Sequence, residues 1–145
     1  SDVAIEKFKD GFLPYTAEKV KMYFDKIKSS FDPDIIFTHY REDLHQDHRL
    51  INQLTWNTFR NHLILEYEII KYDGDIGNPN FFISMDEQGA DKKTELILAN
   101  YHSQKGKHWF DKETFISMLR LRGVESGSKY SEAFYVRKAI LQNEK

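Results

Sequence analysis

The reading of the fold turns on Pro33-Asp34-Ile35-Ile36-Phe37-Thr38-His39 and the run that follows it, Tyr40-Arg41-Glu42-Asp43-Leu44-His45-Gln46-Asp47-His48-Arg49. Ile35, Ile36 and Phe37 are consecutive residues of high β propensity bounded by polar turns, which predicts a short buried strand over 34–38. Residues 40–46 are polar and read as a loop. From Asp47 onward Leu50, Ile51, Leu54, Phe59 and Leu63 return with the period of an amphipathic helix.

Upstream of this stretch, Pro33 closes a helix predicted over 17–30. Val20, Tyr23, Phe24 and Ile27 supply its apolar face, and Thr16 and Glu18 its N-cap and acidic first turn. Downstream, Leu65, Tyr67 and Ile69 alternate with Glu66 and Glu68, as in a half-buried strand. Asp73-Gly74-Asp75-Ile76-Gly77-Asn78-Pro79 is turn-rich and lacks the spacing and terminal glutamate of a calcium-binding loop. A strand is predicted at Phe81-Phe82-Ile83, and helices over 91–101 and 111–121, the second capped by Asp111. A glycine- and serine-containing loop over 123–131 leads to a last strand at Phe134-Tyr135-Val136. Alternating helices and strands predict an α/β class with layers around a largely parallel sheet, in one domain spanning 1–145.

Composition narrows the function classes. With 21 basic and 23 acidic residues mixed along 145 positions there is no basic stripe, which argues against nucleic-acid binding. The chain has no cysteine, which excludes disulfides, thiolate metal sites and a cysteine nucleophile. That is compatible with a cytoplasmic location. No apolar stretch approaches the ~20 residues of a membrane span, and the charged first ten residues are unlike a signal peptide.

Chemistry concentrates after the first strand. In open α/β sheets, ligands bind beyond the carboxyl ends of the strands, where this loop lies. If His45 and His48 lie on a helical first turn, their i, i+3 spacing puts both imidazoles on one face. Neutral imidazole suits zinc, and a neighbouring carboxylate fixes its tautomer through the second ring nitrogen. A catalytic zinc takes three protein ligands and an open position, so two histidines make half a site. Asp43, Asp47 and His39 are the local candidates for the rest. His62 and His108 read as packing and loop residues.

These residues resemble the PIG-L/LmbE-like family of zinc-dependent N-acetyl-sugar deacetylases, in which a Pro-Asp strand leads into His-x-Asp-His. Tyr101-His102-Ser103-Gln104, Arg122-Gly123 and Tyr130-Ser131-Glu132-Ala133-Phe134 are similar to three later stretches of that family. The resemblance implies a Rossmann-like fold and hydrolysis of an N-acetyl group from an amino sugar. It implies that His48 ligates Zn2+, that His45 protonates the leaving amine or steadies the tetrahedral intermediate, and that Asp47 orients a histidine. Zinc would lower the pKa of its water towards ~7. Gln104, Arg122 and Glu132 are implied as sugar contacts, although an Arg122–Glu132 pair bracing the C-terminal loop serves equally well.

The family's other motif, His-Pro-Asp-Asp, is absent: Pro14, Pro33 and Pro79 are the only prolines and none follows a histidine. That motif supplies two zinc ligands and the general base in the family. The resemblance therefore implies a fold incomplete without an N-terminal segment. The expected partner is that N-terminal half, as a separate segment or chain, covering an apolar edge at Ile35–Phe37. A non-catalytic binding or regulatory chain that keeps the scaffold is the alternative. A phosphohydrolase is a weaker third reading, since no adjacent His-Asp pair is present.

Overall fold

The computed structural model describes residues 3–140, and these fall into two compact units, one comprising residues up to Tyr67 together with Val136 onward, the other Glu68–Tyr135. In the first unit a 3-10 turn, Leu13–Thr16, runs into helix α1, Ala17–Ser30. Strand β1 is Ile35–His39, α2 is Gln46–Thr58 and β2 is Leu63–Tyr67. The second unit contains β3, Phe81–Met85; α3, Glu87–Asn100; a 3-10 turn, His102–Gln104; α4, Lys112–Glu125; and β4, Tyr130–Tyr135.

The α/β class holds, but the largely parallel sheet is not what the strand pairs show. β1 and β2 pair in parallel, with Ile36 opposite Ile64 and Thr38 opposite Glu66. β3 and β4 pair antiparallel, with Phe82 opposite Ala133. The connections account for the difference. A strand followed by one helix returns to its own starting end, so β1-α2-β2 is parallel. Two helices in series, α3 and α4, carry the chain back to the end at which β3 finished, and β4 runs the opposite way.

Several local expectations shift for physical reasons. Thr16 does not cap α1 through its side chain; the helix is entered from the preceding 3-10 turn, and Thr16 Oγ1 donates to Leu13 O at 3.3 Å. α2 stops at Thr58, and Phe59 N donates to Thr55 O at 2.8 Å as the chain leaves the helix. Leu63 therefore belongs to β2, where Ile64, Leu65 and Glu66 are buried in succession instead of alternating with exposed residues. That is the pattern of a strand covered on both faces. Asp111 does cap α4, accepting from Thr114 N at 2.7 Å, and Asp86 caps α3 in the same way through Gly89 N at 2.7 Å.

The core of the first unit is Val20, Leu54, Phe59, Ile64 and Leu65. That of the second is Ala90, Leu119, Ala133, Phe134 and Tyr135. The first strand is not the buried strand expected: of β1 only Thr38 is buried, and Ile35 and Phe37, 47% and 56% exposed, leave the expected apolar surface on it.

Candidate active site in the loop between β1 and α2

The loop after β1 is built around one aspartate. Asp43 N donates to Tyr40 O at 3.2 Å, closing a turn. The Asp43 carboxylate, 2% exposed as a residue, then divides its oxygens. Oδ1 accepts from His45 N at 2.8 Å, a local side-chain-to-backbone bond that sets the entry to α2. Oδ2 lies 2.9 Å from His48 Nδ1. A carboxylate accepts, so Nδ1 is the donor, and in the neutral ring that leaves the lone pair on Nε2. Arg49 Nη1 donates to Leu44 O at 2.6 Å and to Asp43 O at 3.3 Å, satisfying carbonyls of the same loop.

Three histidines converge here. The rings of His39 and His48 stack at 4.1 Å with an interplanar angle of 17°. His45 lies against His48 at 4.5 Å and 36°, and its Nδ1 is buried without a hydrogen-bond partner. Spacing along the chain does not reveal His39, which belongs to no tight sequence cluster. It arrives because β1 ends beside the N-terminal half of α2, where Asn52 in the second turn donates its Nδ2 to His39 O at 2.7 Å. The buried hydroxyls of Thr38 and Thr55, 3.1 Å apart, join the same two elements one layer deeper.

Asp47 does different work from that expected. Its carboxylate, 5% exposed as a residue, accepts from Gly11 N at 2.7 Å and Leu13 N at 3.1 Å. The aspartate that orients a histidine is Asp43. Asp47 instead ties the segment before α1 to the first turn of α2, where the helix dipole favours a carboxylate. Gly11 has φ +78, a left-handed conformation that glycine adopts without strain.

The three polar residues expected at the sugar lie in the second unit. Arg122 is buried and fully engaged. Nη2 and Nε donate to the two oxygens of Glu68 at 2.5 and 2.9 Å. Nη1 donates to Glu125 at 2.8 and 2.9 Å, and Nη2 also to Gly77 O at 3.0 Å. The anticipated Arg122–Glu132 pair does not form, because Glu132 pairs with Lys93. Gln104 sits in the 3-10 turn with its Nε2 on Ser103 Oγ at 3.0 Å. Burial lifts the Glu68 carboxyl above its ordinary value, the hydrogen bonds and charge of Arg122 opposing it. Burial alone would lower Arg122, but its bonds to Glu68 and Glu125 raise it overall.

A profile of the PIG-L family, described as GlcNAc-PI de-N-acetylase, covers the part of the chain that holds this loop. Residues 1–59 match it. The resemblance carried by His45 to His48 is thus found independently, over the N-terminal part of the chain. No curated protein matches the sequence.

Among solved structures, the conserved protein TT1542 from Thermus thermophilus superposes with a TM-score of 0.66 at 20% identity. The N,N'-diacetylchitobiose deacetylase from Pyrococcus horikoshii, complexed with an inhibitor, gives 0.60 at 18%. GalB, the 4-carboxy-2-hydroxymuconate hydratase from Pseudomonas putida, gives 0.59 at 14%. They cover 94%, 90% and 90% of this chain, while the chain spans 65%, 55% and 61% of theirs. At these identities the likeness is one of fold. No helix among the described residues is long and apolar enough to cross a membrane.

Proposed function

We propose that this chain carries part of the active site of a deacetylase-type hydrolase, a zinc-dependent enzyme that removes the acetyl group from an N-acetylated amino sugar or its conjugate. The observation that carries the reading is the Asp43–His48 pair, 2.9 Å apart, inside the segment that matches the PIG-L family. A carboxylate on one ring nitrogen fixes the tautomer that leaves the other for a metal, the usual support of a zinc-bound histidine.

His48 fits zinc as one ligand. A catalytic zinc needs three, and no group of three or more His, Asp or Glu that could hold a metal occurs among the described residues. The reading therefore takes the remaining ligands and the general base from a His-Pro-Asp-Asp segment, carried by a longer form of the chain or by a second polypeptide. Ile35, 47% exposed on β1, leaves room for a further element beside that strand. Zinc, when bound, supplies Lewis acidity towards water and the acetyl carbonyl.

The chain's own residues have separate tasks. Asp43 holds His48 in one tautomer and one orientation. His45, packed on His48 with a buried ring nitrogen, protonates the departing amine, a general-acid step. Asp47 fixes the loop that precedes α1. Arg122 has every nitrogen committed to protein acceptors, which leaves it none for a sugar.

The test is to join the chain with a segment bearing the His-Pro-Asp-Asp motif and to measure zinc content and acetate release from N-acetylglucosamine conjugates and N,N'-diacetylchitobiose. One zinc per assembly and zinc-dependent acetate release, both lost in His48→Ala, are expected. An assembly that folds, binds no zinc and releases no acetate overturns the reading in favour of a non-catalytic scaffold.

A further inference from the structure

Glu66 is fully buried, with 0% exposure, at the penultimate position of β2. Its Oε1 accepts from Trp56 Nε1 at 2.7 Å. Its Oε2 accepts from Arg41 N at 3.0 Å and Arg41 Nε at 3.2 Å. Both oxygens are thus used, one on helix α2 and the other on the loop that follows β1. Those are the elements that the Asp43–His48 bond joins nearer the surface.

We infer that Glu66 is a positioning residue for the His48 site, a buried clamp that holds loop residue 41 and helix residue 56 at the separation Asp43 and His48 require. Its register partner on the adjacent strand is Thr38, one residue before His39 ends β1. A carboxylate removed from water is costly, and an apolar side chain of similar volume serves a core as well or better. The Glu66 contacts are directional, and they converge on the two segments whose relative placement sets the His48 ring. The buried Thr38–Thr55 pair adds a second tie between β1 and α2, so the effect of losing Glu66 falls on the loop end instead of the whole layer.

This inference rests on the deacetylase reading for its catalytic consequence and on geometry alone for its structural one. Two readouts separate them. The Nδ1–H proton of His48, donated to Asp43 at 2.9 Å, is expected to give a downfield imidazole resonance in the full chain. Glu66→Gln puts an amide donor against Trp56 or Arg41; the resonance is expected to shift or broaden beyond detection while amide signals of the second unit stay in place. In the zinc-loaded assembly the same variant is expected to lower kcat about 10-fold or more at nearly constant KM, the range found when support behind a metal ligand is lost.

Trp56→Phe removes one donor and keeps an aromatic ring at the position, and is expected to give the same resonance change at smaller amplitude. The inference is overturned if Glu66→Gln leaves the resonance unmoved. It is also overturned if Glu66→Gln fails to fold and Trp56→Phe leaves the resonance unmoved. A resonance change in an assembly that releases no acetate sinks the deacetylase reading and leaves the clamp standing.

Discussion

Asp43 holds His48 through one carboxylate oxygen and the His45 backbone through the other, so a single buried side chain sets the position of both histidines. Asp43→Asn keeps the size and tests the charge. Zinc affinity or acetate release in the assembled enzyme is expected to fall about 10–100-fold, with His48→Ala lower still. Titrating zinc into the two variants and the parent checks this. Equal affinity in Asp43→Asn and the parent refutes the support role.

Asp47 separates an anchoring role from a catalytic one. Its acceptor oxygens serve Gly11 N and Leu13 N, and Asp47→Ala leaves both donors without that partner. A loss of about 1–3 kcal/mol in unfolding free energy is expected. Amide exchange is expected to accelerate at Gly11 and Leu13. Should activity vanish with neither stability nor exchange altered, Asp47 acts on the chemistry directly.

What the sequence reveals and what it hides have a physical pattern. α1 is legible because four apolar residues keep helical spacing across Ala17–Ser30, and Asp111 because a cap is a local bond. The alternation at 65–69 places β2 two residues late: it mimics a half-buried strand, while Ile64, Leu65 and Glu66 are in fact all buried. A buried Glu66 is indistinguishable from a surface one until Trp56 and Arg41 are placed around it. The same limit applies to the site. His45 and His48 are visible by spacing, but His39 and the choice of Asp43 over Asp47 depend on how β1 meets α2.

Gly123 gives the Arg-Gly pair a steric reason. A Cβ at this position would sit 2.4 Å from Lys129 O and 2.7 Å from Lys129 C, both backbone atoms. Ser128 N also donates to Gly123 O at 2.8 Å, so the chain leaving α4 lies close against the helix. Gly123→Ala is expected to cost about 1–3 kcal/mol through forced backbone displacement. Denaturant unfolding measures it; a variant as stable as the parent removes the close-approach argument.

Arg122 and Glu68 give a prediction with a pH signature. Breaking a buried pair by removing one partner strands the other charge, and Arg122→Met is expected to cost about 3–5 kcal/mol at about pH 7.5. The sign with pH follows from Glu68. Burial, opposed in part by Arg122, raises its carboxyl above the ordinary 4.5. A raised acid binds its proton more tightly in the folded chain. Its contribution to stability is therefore full below 4.5 and lost as pH rises through the folded value. Removing Arg122 deletes the groups that hold Glu68 down, so the raise grows and the loss extends to higher pH. Urea unfolding of parent and Arg122→Met at about pH 5 and about pH 7.5 is expected to show the smaller deficit at the lower pH, and Glu68→Gln in the Arg122→Met background is expected to flatten the difference. A deficit equal at both pH values would mean that Arg122 stabilises the fold through Glu125 and Gly77 O, without a pH-dependent charge at Glu68.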